Sequence, residues 1–167
     1  MREQKGITLI AITLTVIVML IIASITVYYG TDLIQEVKLQ DLKTNMLLIQ
    51  AKTKEGVEEV NFQSKNINDG STLDQIKEEN LIGEKLEGSG DPYIKAQQTG
   101  RITGDISQYY YLTDYNLSEI GLQDVTTADY GYFIVKYDIE NSSVEVINTN
   151  GYNGNYTLTE ILAIEEE

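Results

Sequence analysis

The hydrophobic pattern divides the chain in two. Residues 7–29 read ITLIAITLTVIVMLIIASITVYY, 23 residues without Asp, Glu, Lys, Arg or Pro. A run that is apolar all round suits a helix with no solvated face. At ~1.5 Å per residue it is about 35 Å long, enough to cross a hydrocarbon core of about 30 Å. After Gly30 the pattern becomes amphipathic. Leu33, Ile34, Val37, Leu42, Met46, Leu47 and Ile49 recur at helical spacing, with Glu36, Lys38, Asp41, Lys43 and Lys52 between them. No proline falls within 7–60, so the spacing predicts one long helix that ends near 57–62. Gly30 is its weak point, and Thr31-Asp32 are suited to cap a restart there.

Beyond this helix, 64–71 (SKNINDGS) is a polar loop. Thr72 then opens a short helical pattern with Leu73, Ile76 and Leu81 on one side, closed by Gly83. Residues 84–106 carry Gly88, Gly90, Pro92, Gly100 and Gly104, and read as an irregular connection with a short strand over 93–97. Tyr109-Tyr110-Tyr111-Leu112 is β-prone and leads into a short helix at 117–121. The strongest strand is 130–138 (YGYFIVKYD), with 139–142 as a turn and 143–148 (SVEVIN) as its partner in a hairpin. Tyr156-Thr157 adds an edge segment before a terminal helix over 158–164. The order predicts an α+β fold: a long N-terminal α-helix, transmembrane in its first half, packed against a small C-terminal antiparallel β-sheet domain. The implied boundaries are a leader at 1–6, a span at 7–29, an amphipathic continuation at 30–62 and a globular α+β domain at 63–167.

Composition narrows the chemistry. The 167 residues include no His and no Cys, which removes the usual zinc ligand sets, thiol nucleophiles, imidazole bases and disulfide staples. Formal net charge is −14, a surface that opposes the phosphate backbone, so no direct nucleic-acid partner is expected. Gly88-Ser89-Gly90 and Gly100–Gly104 lack the rest of any nucleotide-binding motif and read as turns. Carboxylate pairs such as Glu58-Glu59 and Glu78-Glu79 read as solvated faces, and no enzymatic activity is expected. The loop 148–155 (NTNGYNGN) offers amide and carbonyl oxygens but no carboxylate, so it fails EF-hand spacing. Asp124, Asp129 or Asp138 would have to complete any calcium site; an Asn/Gly turn is the simpler reading, and no cofactor is expected. Ten of the 12 tyrosines follow position 90. One face of them is expected to cover the long helix, leaving the other for a subunit or ligand contact.

The start of the chain carries the sharpest signal. A leader with Arg2 and Lys5 meets Gly6 and runs straight into Ile7-Thr8-Leu9-Ile10. A secretory signal has a shorter apolar region and a small-residue cleavage site, and a plain anchor explains only the length. The combination of basic residue, glycine, aliphatic residue and Thr-Leu-Ile resembles the type IV prepilin segment. The later order of Tyr-rich strand, turn-helix and hairpin is loosely similar to pilin and pseudopilin domains. The resemblance implies cleavage between Gly6 and Ile7 by a prepilin peptidase, methylation of the new Ile7 amine, and assembly through Thr8, Leu9, Ile10 and Ala11.

It implies other pilin or pseudopilin subunits, a membrane assembly platform and the lipid bilayer as partners. Most members have Glu where this chain has Ala11, a departure that fits a minor or tip subunit and equally fits assembly through apolar packing alone. Arg2 and Lys5 favour a cytoplasmic N-terminus, with the C-terminal domain outside and Tyr28-Tyr29 at the far interface. The expected function is a structural subunit of a type IV pilus or type II secretion-like pseudopilus, as a minor component of an extracellular filament. The alternative is a signal-anchored membrane protein that never polymerises and presents an extracellular binding domain.

Overall fold

A computed structural model describes residues 4–65 and 72–164, with side chains for 12, 15–21, 34–65 and 72–164. The protein is α+β: a long helix and a five-stranded antiparallel sheet. Helix α1 spans Gln4–Lys65, followed by α2 (Leu73–Asn80), β1 (Glu84–Lys85) and α3 (Asp91–Gln98). A 3-10 turn at Ile106–Gln108 leads into β2 (Tyr109–Leu112), α4 (Asp114–Glu119) and α5 (Thr127–Tyr130). Then come β3 (Phe133–Asp138), β4 (Ser143–Tyr152), β5 (Asn155–Thr157) and α6 (Leu158–Leu162). The strands lie in sequence order across the sheet. Two compact units divide at Gln40/Asp41.

In the second unit α1 buries Leu42, Met46, Ile49, Thr53, Val57 and Val60, one stripe recurring every three or four residues. Thr53 belongs in it because its hydroxyl donates to the Ile49 carbonyl at 2.7 Å and leaves only its methyl to pack. Leu47, expected in the stripe, is 43% exposed on another side of the helix. The sheet meets α1 with the side chains that alternate outward on one face: Tyr110, Leu112, Phe133, Val135, Tyr137, Val144 and Val146, all buried. Gln50 Nε2 donates to the Val144 carbonyl at 3.2 Å, and Asn61 Nδ2 to the Ile139 carbonyl at 2.9 Å. The opposite face is closed by a second cluster, where Tyr109, Ile134 and Ile147 pack with Leu86 and Ala96.

Three local expectations are corrected. The predicted strand over 93–97 is helix α3. Pro92 pre-sets its first turn, and Tyr93 and Ala96, three residues apart, turn together onto the second cluster. The strand expected from Tyr130 begins at Phe133, because Thr126 caps the single turn α5 and Gly131 leaves it at φ 73°. Strand β4 runs four residues past the predicted end, to Tyr152, through a register shift against β5. The predicted hairpin is present, with Asp138 opposite Ser143.

At Gly56, α1 and the end of α2 come together so closely that an added Cβ would stand 2.3 Å from the Asn80 carbonyl oxygen. Helix propensity alone favours alanine there by about 1 kcal/mol. A clash with backbone costs more, about 1–3 kcal/mol. Gly56→Ala should therefore lower stability in denaturant unfolding by up to about 2 kcal/mol, and a stabilised variant would show that the two helices do not approach this closely.

Candidate functional site

None of the residues singled out at the start of the chain has a described side chain. Arg2 lies outside the described residues altogether, as do the side chains of Lys5, Gly6, Ile7, Thr8, Leu9, Ile10 and Ala11, which belong to the first turns of α1. From the apolar run, Ile12 and residues 15–21 are described. Val16, Ile17, Val18, Met19, Leu20 and Ile21 are each 46–70% exposed. Six consecutive helical residues sweep more than a full turn, so this is an apolar cylinder rather than an amphipathic stripe. Thr15 adds no free polar group, because its hydroxyl donates to the Ile12 carbonyl at 2.8 Å. Among the described residues no helix is long and apolar enough to cross a membrane.

In the second unit the candidate calcium loop is otherwise engaged. Asn148 is 1% exposed. Its Oδ1 accepts from the Asn150 and Gly151 amides at 3.1 and 2.8 Å, and its Nδ2 donates to the Tyr130 carbonyl at 2.9 Å. The oxygen that a cation would need thus holds the irregular stretch of β4 in place. Among the described residues no group of three or more acidic side chains is placed to hold a metal.

The tyrosines divide between the two faces of the sheet. On the helix side Tyr110 and Tyr137 meet edge to face at 5.1 Å. The Tyr137 hydroxyl donates to the Ile82 carbonyl at 2.8 Å, and burial pushes this phenol well above its ordinary value. On the other side Tyr109 hydrogen-bonds to the backbone of Thr103, and Tyr111 donates to the Glu84 carboxylate. That hydrogen bond pushes the Tyr111 phenol up to about 12. Tyr132 donates to Asp91 at 3.0 Å, beneath Lys95. The face expected to be left for partners is largely closed by α3 and its neighbours.

Sequence reasoning missed the polar lock at the end of the chain. Thr157 caps α6 by accepting from the Glu160 amide, and Glu160 Oε2 accepts from the Tyr156 and Thr157 amides at 2.9 and 3.1 Å. Arg101 Nη2 reaches Glu160 Oε1 at 2.6 Å. The legible signal was Thr157-x-x-Glu160, a capping box; Arg101 carries no such mark. Burial raises the Glu160 carboxyl, but the Tyr156 amide, the Arg101 guanidinium and the Thr157 amide outweigh it and hold the group at about 2.

No family model, curated protein or solved structure matches the chain.

A carboxyl depressed from 4.5 to about 2 stabilises the fold fully above 4.5, and that contribution is lost as pH falls through about 2. Glu160→Gln keeps the capping acceptor but cannot titrate. The stability gap between wild type and this variant should shrink as pH falls from 4.5 towards 2, as read from thermal unfolding; a gap independent of pH refutes the assignment. Asn148→Ala strands three backbone partners and should cost about 2–3 kcal/mol in denaturant unfolding. A loss under about 0.5 kcal/mol would mean that water replaces the amide.

Proposed function

We propose that the protein is a structural subunit of a type IV pilus or type II secretion-like pseudopilus, stored in the cytoplasmic membrane and assembled into an extracellular filament as a minor component. The observation that carries this reading is the apolar cylinder of α1. Side chains from Val16 to Ile21 are about half exposed or more on every side of the helix, a surface that water does not tolerate and that lipid or neighbouring helices cover. The charge-free run around it and the motif Lys5-Gly6-Ile7-Thr8-Leu9-Ile10 turn a general anchor into a processed one.

In this reading Arg2 and Lys5 keep the leader in the cytoplasm. A prepilin peptidase cuts after Gly6, and the Ile7 amine is methylated. Lipid covers the span before assembly, and the spans of other pilin or pseudopilin subunits cover it afterwards, with a membrane assembly platform between the two states. Ala11 offers no carboxylate to pair with a neighbour's terminal amine, which suits a subunit whose contacts on one side are apolar. The α+β unit outside supplies no catalytic group in this reading; its work is to be carried on the filament.

Mass spectrometry of the mature protein tests this directly. The expected N-terminus is a methylated Ile7, six residues into the chain, and Gly6→Leu should leave the leader attached. A full-length wild-type protein in cells that hold an active prepilin peptidase would sink the proposal.

A further inference from the structure

The sequence holds two Asn-Gly steps, Asn150-Gly151 and Asn153-Gly154, three residues apart. As text they are equivalent. Asparagine is among the chemically labile residues. A following glycine exposes it most, because no side chain hinders the next amide nitrogen from reaching the asparagine side chain. The fold treats the two steps differently.

Asn150 is restrained at both atoms that would react. The nitrogen that would attack is the Gly151 amide, which donates to Asn148 Oδ1 at 2.8 Å. Asn148 is itself 1% exposed and tied to the Tyr130 carbonyl. The carbon that would be attacked is Asn150 Cγ, and it lies so close to Gly131 that an added Cβ there would stand 2.7 Å from it. Gly151 is enclosed as well, since an added Cβ would collide with the Asn155 carbonyl and the Tyr156 ring.

Asn153 has none of these restraints. Tyr152 pairs with Asn155, so Asn153 and Gly154 are the two central residues of the tight turn between β4 and β5. Their φ values of 50° and 80° are those of a type I′ turn. Both residues are exposed. Among the described residues no hydrogen bond engages the Gly154 amide or the Asn153 side chain. An added Cβ on Gly154 would meet nothing within 4 Å, so a ring has room to close. Rotation at Asn153 towards attack also takes a side-chain-bearing residue out of the left-handed region that it disfavours.

The next most open step, Asn141-Ser142, is held like Asn150. Asn141 Nδ2 donates to Asp138 Oδ2 at 2.7 Å, and the Ser142 amide donates to the Ile139 carbonyl at 3.2 Å.

We propose that Asn153 is a site of spontaneous modification in the folded protein, closing to a succinimide that water opens to aspartate or isoaspartate, while the fold protects Asn150 and Asn141. The Gly154 amide nitrogen loses its proton to solvent base and bonds to Asn153 Cγ. The Cγ–Nδ2 bond breaks, and the nitrogen leaves as ammonia with protons from solvent. Water then cleaves the ring at Cγ to give aspartate, or at the Asn153 backbone carbonyl carbon to give isoaspartate. Water is consumed, ammonia is released, and nothing is oxidised or reduced. Either product adds negative charge to the turn. Isoaspartate also lengthens the main chain inside a turn built for two residues. This inference does not rest on the filament proposal.

The test incubates the full chain in detergent micelles at mildly basic pH in heavy-oxygen water, beside a sample unfolded in guanidinium. The heavy oxygen marks only hydrolysis that occurs during the incubation. Trypsin cuts after Lys136 and no Lys or Arg follows, so one peptide, 137–167, carries Asn141, Asn150 and Asn153. Fragment masses then place the label.

In the folded chain the label should collect at Asn153, with Asn150 and Asn141 about tenfold slower or more, because each must wait for local opening. In the unfolded chain Asn150 and Asn153 should react at equal rates. Asn148→Ala frees the Gly151 amide and should speed Asn150 in the folded chain. An unchanged Asn150 rate in that folded variant overturns the protection assigned to Asn148. If the variant does not fold, the wild-type comparison of folded and unfolded chains carries the test by itself. The proposal is overturned if Asn153 keeps its amide in the folded chain while the unfolded chain loses it, or if Asn150 reacts as fast as Asn153 in the folded chain.

Discussion

The second unit depends on one requirement: β2, β3 and β4 must be covered on both faces at once. Their residues are buried on alternate sides almost without interruption. Phe133 and Val135 face α1, and Ile134 faces the cluster under α3. A strand buried on both sides reads as a nearly continuous apolar run, which normally belongs to a parallel sheet flanked by helices. Here an antiparallel sheet reaches the same state because a long helix supplies one cover and a short helix with its loops supplies the other. The register is fixed by the exceptions. Lys136 stands opposite Glu145, both half-buried on the α3 side, and a slip of one residue would drive a charge into the interface with α1.

Tyrosine is the residue that makes two covers affordable in so small a unit. Its ring packs as well as phenylalanine's, and its hydroxyl can end at a backbone carbonyl or a carboxylate on the rim. Tyr137 ends at Ile82 O, Tyr109 at Thr103, Tyr111 at Glu84 and Tyr132 at Asp91. Tyr137 and Tyr109 tie their strands to flanking segments, Tyr111 ties β2 to its neighbour β1, and Tyr132, just ahead of β3, reaches α3. With no cysteine in the chain, such ties, the capping boxes at Thr72, Thr113 and Thr157, and the Arg101–Glu160 pair do part of the fastening that disulfides supply in many exported domains.

How much of this was legible depended on how local the signal was. The β3–β4 hairpin was readable because its turn residues sit between two β-prone runs, all within a few positions. The amphipathic half of α1 was readable from its period, though the period did not say which apolar residues face inward: in the second unit Leu42, Met46 and Ile49 do, while Leu47 is exposed. Helix α3 was lost because eight residues are too few to separate a helical period from a strand alternation, and Gly90 and Pro92 read as loop. The extension of β4 through Asn148 was invisible, since its cause is a side chain bonded to Tyr130, far from it in sequence. The N-terminal motif is a reading of the sequence alone, because the side chains that carry it lie outside the described residues.

The two apolar surfaces of α1 also differ in kind. Hydrogen bonds that tie α1 to the rest of the second unit include those from Lys43, Gln50 and Asn61 and one from Asn80 to Gln63, and the buried stripe runs from Leu42 to Val60. Side chains at 16–21 make up a surface with no preferred side, which any apolar surroundings satisfy equally. Packing in lipid and packing among helices differ little in hydrophobic free energy, because lipid tails are as apolar as leucine. On the filament proposal, transfer from one to the other therefore needs shape and small directional contacts to decide it, not a large change in burial. On the same proposal Ala11, which stands where most pilins carry Glu, lacks one such directional contact. That leaves close packing to set the position of this subunit, and it makes the pairing less demanding about which neighbour stands beside it.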